Sequence, residues 1–147
     1  MPNWCMNTAT LNHEDPEVVK EMVKKLEVME EYTLFRTLDP EYEYREAHEV
    51  DWSESNGEIT LNFDSAWSPP EELYDTLEEN GWTVWATYYE PGLEIAGMYL
   101  DGEMHAYDDI HSIDEDMLED DLILKEVADH WNIMDEIEMM REWDEEE

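Results

Sequence analysis

The sequence predicts an α+β fold in which an antiparallel sheet with helices is followed by a helical C-terminal extension. Two observations indicate this class: apolar residues recur at helical spacing in some segments and alternate with polar residues in others. A third observation excludes the disorder that is common in strongly acidic chains. Seven Trp, eight Tyr and ten Met supply the apolar surface that a folded core requires.

The N-terminal segment predicts a strand followed by an amphipathic helix. Residues 5–11 form the strand, and Asp15 and Pro16 suit the N-cap and first turn of the helix. The helix is expected to end near Glu31, because apolar residues recur at helical spacing up to that point: Val18, Val19, Met22, Val23, Leu26 and Met29.

The segment that follows, residues 32–57, interleaves aromatic and acidic residues without a clear period. An irregular connection is therefore expected here, with one short strand over residues 32–36. Beyond it, Ile59, Leu61 and Phe63 alternate with polar residues, which predicts a half-buried strand.

A second helix and a meander of three strands are predicted over residues 68–107. Ser68-Pro69-Pro70-Glu71 is a helix start, and Asn80-Gly81 is the matching stop. Strands are expected over residues 82–89, 93–100 and 103–107. The turn Glu90-Pro91-Gly92 separates the first two, and Asp101-Gly102 is a two-residue hairpin signal before the third.

The last part of the chain predicts one or two amphipathic helices. Ser112-Ile113-Asp114-Glu115 can start a helix, and apolar residues continue at helical spacing from Met117 to Met140. Two parts are therefore expected, an α+β domain over residues 1–109 and an acidic helical extension over residues 110–147.

Several short motifs resemble the ferredoxin-like domain of the YubB type, which occurs in plasmid and phage proteins. The motifs are Asn3-Trp4-Cys5 with Asn7, the segment Phe63-Asp64-Ser65-Ala66-Trp67-Ser68-Pro69-Pro70, Tyr89-Glu90-Pro91-Gly92, and Ala96-Gly97. The resemblance covers roughly residues 1–107. It implies a ferredoxin-like antiparallel sheet with helices on one face and a mobile genetic element as the source, but it implies no catalytic activity and no cofactor.

The charge of the chain restricts its partners. Seven Lys and Arg face 43 Asp and Glu, which gives a formal net charge of −36. Phosphate backbones and anionic membranes repel such a protein, so direct binding of nucleic acid or of a membrane is not expected. The expected partner is a surface rich in Lys and Arg, such as the cleft of a nucleic-acid-binding protein.

The predicted partner-binding surface lies in a window without basic residues. From Glu46 to Leu124 the chain has no Lys or Arg but 23 Asp and Glu. Carboxylates at i, i+4 on a helix lie about 6 Å apart, so a regular acidic face can substitute for a phosphate backbone in a basic cleft. The candidate residues are Glu71, Glu72, Asp75, Glu78, Glu79, Asp108, Asp109, Asp114, Glu115, Asp116, Glu119, Asp120 and Asp121. The alternative is a solvated acidic face that serves solubility alone.

No enzyme, cofactor or metal centre is predicted. The sequence has no glycine-rich phosphate loop, nucleophile elbow or CxxC pair. His105, Asp108, Asp109 and His111 are possible metal ligands, as are Glu126 and His130, but their spacing matches no known cage. Cys5 is expected to be a buried strand residue.

Two functions remain open at the level of sequence. The first is a DNA-mimicking inhibitor from a phage or mobile element, which blocks a basic, nucleic-acid-binding defence protein of the host in its cytoplasm. Restriction enzymes, CRISPR effectors and repair glycosylases all have such clefts. The second is an acidic regulatory or assembly protein that contacts its partner through the Met- and Trp-rich helix near residues 131–143. The sequence leaves the oligomeric state open.

Overall fold

A computed structural model describes residues 3–42 and 46–146, and the side chains up to Trp143. The two predicted parts, residues 1–109 and 110–147, include six residues that lie outside this description: 1, 2, 43–45 and 147. Within it the protein is an α+β fold with one six-stranded antiparallel sheet and six α-helices. The strands are β1 (Trp4–His13), β2 (His48–Ser55), β3 (Glu58–Ala66), β4 (Trp82–Glu90), β5 (Ile95–Leu100) and β6 (Glu103–Tyr107). The helices are α1 (Pro16–Val28), α2 (Leu34–Leu38), α3 (Glu71–Glu79), α4 (Glu115–Asp120), α5 (Leu122–His130) and α6 (Ile133–Glu146).

The strand order is β2-β3-β1-β4-β5-β6, and every neighbouring pair is antiparallel. This six-stranded order is not that of a classic ferredoxin fold. Tight hairpins connect β2 to β3 and β5 to β6. In the second hairpin Asp101 and Gly102 have φ angles of 53° and 79°, the left-handed pair that a two-residue turn requires, as the sequence predicted.

Two local predictions for residues 32–57 are wrong. The segment predicted as a strand over residues 32–36 instead forms a 3₁₀ turn (Glu31–Thr33) and the start of α2. Leu34 and Phe35 are completely buried, so packing against the sheet outweighs the β propensity of the aromatic residues. The predicted irregular connection also contains β2, which the pattern missed because most of its residues are exposed.

The first hydrophobic core lies between one face of the sheet and α1, α2 and α3. Alternate residues of β1 and β3, among them Leu11, Leu61 and Phe63, are buried against these helices. The start of α1 agrees with the prediction, because the Asp15 carboxylate accepts a hydrogen bond from Glu17 N at 3.0 Å.

The second core lies on the opposite face of the sheet, beneath the C-terminal helices. Met98 of β5 and Tyr89 of β4 pack there with buried residues of α4, α5 and α6, such as Val127 and Ile137. The prediction that helices pack on one face of the sheet is therefore correct only for α1–α3. The C-terminal segment forms three helices rather than one or two, because Asp114 and Asp121 each cap a new helix. The sheet residues buried in this core belong to β4 and β5, and His130 of α5 also reaches Thr8 Oγ1 of β1 at 3.3 Å.

None of the described helices combines the length and the apolar character that a membrane span requires.

Candidate functional site

The first group of predicted partner-binding residues lies on the solvent side of α3. Leu73, Tyr74 and Leu77 anchor this helix in the first core, so the carboxylates point outward. Glu71, Glu72, Asp75 and Glu79 are exposed, and Glu78 is half-buried.

Two carboxylates of α3 also have structural partners. Asp75 accepts a hydrogen bond from the Tyr99 hydroxyl at 2.7 Å, and Glu78 accepts one from Val84 N at 2.9 Å. These bonds attach the helix to β5 and β4. The other three predicted residues on α3 are exposed and present their charge to solvent: Glu71, Glu72 and Glu79.

The second group follows β6. Asp108 and Asp109 are exposed at its end, and Glu115, Asp116, Glu119 and Asp120 are exposed on α4. Asp114 caps α4 by accepting from Met117 N at 2.9 Å. Asp121 caps α5 and also accepts from the Tyr107 hydroxyl at 3.0 Å. Asp114 and Asp121 therefore have a structural role as well as a charge.

The two groups lie on opposite faces of the sheet, since α3 packs on the first core and α4 on the second. One member of each group, Glu71 of α3 and Asp108 after β6, lies near the Tyr88 hydroxyl. Burial raises the pKa of Tyr88 to about 12, and the negative charges of Asp108 and Glu71 contribute to the same shift. A shallow cleft on the same face as α3, between the start of that helix and β6, is lined by Glu71, Glu72, Tyr88, Met104, Ala106, Ser68 and Pro69. We call this region the β6 acidic edge.

Basic residues are concentrated elsewhere. Of those that the structure describes, four lie on α1 and α2: Lys20, Lys24, Lys25 and Arg36. Lys20 and Lys24 form exposed ion pairs with glutamates of the same helix, at 3.4 and 3.7 Å. Such exposed pairs contribute little to stability. The α1–α2 segment is therefore close to neutral, because residues 16–38 hold four basic and five acidic side chains, whereas α3, β6 and α4 carry acidic charge alone.

The predicted weak metal ligands are not brought together. Within the described part of the chain, no three His, Cys, Asp or Glu side chains lie close enough to hold a metal ion. His130 lies between rings instead, 4.7 Å from Trp131 and 5.9 Å from Trp85 measured between ring centroids. Burial lowers its pKa, although the Glu126 carboxylate opposes the shift.

Cys5 is completely buried on β1, as predicted. Its neighbour in the same strand, Asn7, donates to Cys5 O at 3.0 Å and to Ser65 Oγ at 2.9 Å. The residues Asn7 and Ser65 of the YubB-type motifs therefore join β1 to β3.

The sequence analysis did not predict a polar network on the second face of the sheet. His111 faces the Glu94 carboxylate at 3.3 Å through Nδ1 and the Tyr89 hydroxyl at 2.7 Å through Nε2. Tyr89 in turn donates to Glu136 at 2.5 Å. These groups come from four separate segments, so no spacing could reveal them. They attach α6 to β4.

The Met- and Trp-rich helix of the alternative function is partly used in the second core. Trp131 is half-buried, and its indole donates to Thr87 Oγ1 at 3.1 Å. Met139, Met140 and Trp143 are exposed on α6, with Trp143 at 69%. Only this last part of the helix is available to a partner.

No family model, curated protein or solved structure matches the chain. The resemblance to the YubB-type domain stays a prediction.

Proposed function

We propose that the protein is a stoichiometric inhibitor that presents a DNA-like array of carboxylates to the basic cleft of a nucleic-acid-binding host protein. The observation that carries this proposal is the β6 acidic edge, where Glu71 and Glu72 of α3 line a cleft with Met104 and Ala106 of β6, the strand that Asp108 follows. Glu71 and Asp108 both act on the Tyr88 phenol there. No Lys or Arg lies in the 79 residues that contain both groups.

The geometry of the carboxylates supports mimicry over simple acidity. Glu71, Asp75 and Glu79 follow at i, i+4 along the exposed side of α3. This arrangement repeats a negative charge about every 6 Å on a rigid element. A rigid array loses little conformational entropy on binding, whereas a disordered acidic tail would have to become ordered.

The source and the finer fold belong to the same proposal. The first four strands follow the connectivity β1-α1-β2-β3-α3-β4, apart from the short α2, and lie in the order β2-β3-β1-β4. Two interleaved βαβ units of this kind are typical of a ferredoxin-like core, to which β5 and β6 would be an addition. Together with the YubB-type motifs, this supports an origin in a phage or other mobile element. The proposed targets are restriction, CRISPR or repair enzymes of the host cytoplasm.

Titration of purified target enzymes tests the proposal. We expect the protein to inhibit one of a restriction endonuclease, a CRISPR effector and a uracil-DNA glycosylase at a 1:1 ratio. Because both ligands would occupy one cleft, excess duplex DNA should relieve the inhibition. Inhibition that duplex DNA does not relieve would contradict mimicry, and turnover of a substrate by the protein itself would contradict an inhibitor.

A second candidate function has one observation in its favour. Met139, Met140 and Trp143 form an exposed apolar stripe at i, i+3 and i, i+4 on α6. Such a stripe is typical of a helix that binds a groove in a partner. The protein would then be an acidic regulatory or assembly protein. Ionic strength separates the two functions, because screening weakens a charged interface and leaves an apolar one intact.

A further inference from the structure

The β6 edge of the sheet is open. β6 pairs with β5 alone, and within the described residues no other strand lies beside it. Edge strands expose backbone N–H and C=O groups that can pair with another extended chain.

The register shows which groups of β6 are available. Leu100 and Glu103 close the two-residue hairpin and are therefore a hydrogen-bonded pair. Alternation along the strand makes the pairs Tyr99–Met104 and Gly97–Ala106 non-hydrogen-bonded. The backbone N–H and C=O groups of Met104 and Ala106 consequently point away from β5, in the plane of the sheet, while both residues also line the cleft on the face that carries α3.

The opposite edge of the sheet differs. In β2 the register shifts between His48 and Asp51, and Glu49 has a left-handed φ of 51°. Such a bulge interrupts the row of outward-facing groups and discourages pairing. β6 has a continuous register along its whole length and contains no proline.

The charge around β6 determines what can pair with it. Glu71 and Glu72 line the cleft, Glu103 is exposed on the strand, and Asp108 follows its end. A second copy of this chain would bring the same carboxylates together, and the repulsion opposes self-pairing. A segment that carries Lys or Arg would instead be attracted along the whole strand.

We propose that β6 accepts an extended, Lys- or Arg-bearing segment of the partner as a seventh strand. This inference rests on the proposed function and gives its binding mode. Main-chain hydrogen bonds to Met104 and Ala106 would supply the pairing, while the flanking carboxylates would select basic side chains.

The probe is a ten-residue peptide in which Lys and Val alternate. A second peptide of equal charge has Pro in place of every Val, so it loses half of its backbone donors, and each Lys before a Pro is biased towards polyproline II. In a calorimetric titration we expect the Lys-Val peptide to bind at least tenfold more tightly. Hydrogen exchange at the Met104 and Ala106 amides should slow when it binds. Any one of three results would overturn the inference: equal affinity for the two peptides, unchanged exchange at these amides, or dimerisation through β6 without peptide.

Two proline variants give a matched comparison. Ala106→Pro removes an outward N–H from β6 and leaves the bonds to β5 in place. Glu54→Pro also removes an outward N–H, from β2 next to its own hairpin pair Ser55–Glu58, and in addition it removes the carboxylate that accepts from Gly57 N at 2.9 Å. We expect Ala106→Pro alone to lower peptide affinity tenfold or more, with both variants folded by circular dichroism. Equal affinity of Ala106→Pro and the native protein for the Lys-Val peptide would refute strand addition. If the variant fails to fold, hydrogen exchange at the Met104 and Ala106 amides of the native protein still tests the inference.

These experiments contain neither a target enzyme nor DNA. If the peptide does not add to β6 but the protein still inhibits an enzyme and duplex DNA relieves that inhibition, only the binding mode would be eliminated. Peptide binding without enzyme inhibition would instead eliminate the proposed function.

Discussion

One substitution made at the two ends of α3 separates charge from stability. Glu71 is in the first turn of the helix and Glu79 is its last residue, and both are exposed. Changing either to Gln removes one negative charge and one like-charged i, i+4 neighbour, because Asp75 lies between them. Relief of that repulsion is worth about 0.2–0.5 kcal/mol at either end.

The helix dipole acts in opposite directions at the two ends. A negative charge stabilises a helix N-terminus and destabilises its C-terminus by about 0.3–1 kcal/mol each. The repulsion from Asp75 that each substitution removes is equal, so it cancels when the stabilities of the two variants are compared. Glu79→Gln should therefore be more stable than Glu71→Gln by about 0.6–2 kcal/mol, the sum of the two dipole effects.

Thermal unfolding followed by circular dichroism at low ionic strength measures this difference. For a chain of this size about 1 kcal/mol changes Tm by about 2–4 °C, so the two variants should differ by about 1–8 °C. If partner binding depends on the total charge of α3, both variants should weaken it equally. Equal melting temperatures, or a less stable Glu79→Gln, would refute the dipole argument.

Three further predictions concern other parts of the fold. Gly97→Ala should destabilise the protein by at least about 1–3 kcal/mol in chemical unfolding, because a Cβ at this position would lie 2.6 Å from the Tyr88 ring. Burial first, and then the hydrogen bond to Asp121, raise the pKa of Tyr107 to about 12, so its contribution to stability should be complete below pH 10 and disappear as pH rises through 12. Burial lowers the pKa of His130, so acidification below its ordinary value near 6.5 should destabilise the fold in a melting series.

Each of these predictions has a control. Gly102→Ala introduces a Cβ with no atom within 4 Å, so it measures backbone strain at positive φ without a clash. Tyr107→Phe should lose part of the alkaline transition, and a transition unchanged by it would contradict the assignment. His130→Gln should flatten the acid limb of the melting series, and an identical limb in variant and native protein would show that other groups are responsible.

The sequence predicted those elements whose local signals agree with their packing. Asp101-Gly102 determined one hairpin, and Pro69-Pro70 with Asn80-Gly81 bounded α3 within one or two residues. The strand β2 was missed because its apolar alternation is limited to Val50 and Trp52 and its other residues are polar and exposed. Short elements of this kind depend on tertiary contacts that a local pattern does not contain.

The position of the C-terminal helices was also beyond the local pattern, although β4 contains a clue. Its sequence Trp-Thr-Val-Trp-Ala-Thr-Tyr-Tyr is apolar or aromatic at most positions rather than at alternate ones. Strands that are covered on both faces have this composition. The same sequence could therefore have indicated a second layer of helices over β4.

The candidate site could be predicted only as two separate acidic segments. The approach of Glu71 and Asp108 to Tyr88 depends on strand order, since α3 precedes β4 whereas Asp108 follows β6. The hydrogen bonds of Asp75 and Glu78 depend on the same long-range geometry. Sequence spacing predicts the density of charge, but it does not predict which carboxylates form hydrogen bonds within the fold.

The two cores share β4 and β5, and this has a consequence for how the molecule opens. Most of the second core consists of residues from α4–α6, which follow one another at the end of the chain. Local unfolding of these three helices would leave the first core and its sheet ladder in place. We therefore expect native-state hydrogen exchange to reveal two cooperative units, with the amides of α5 and α6 exchanging at a lower free energy than those of β1 and β3.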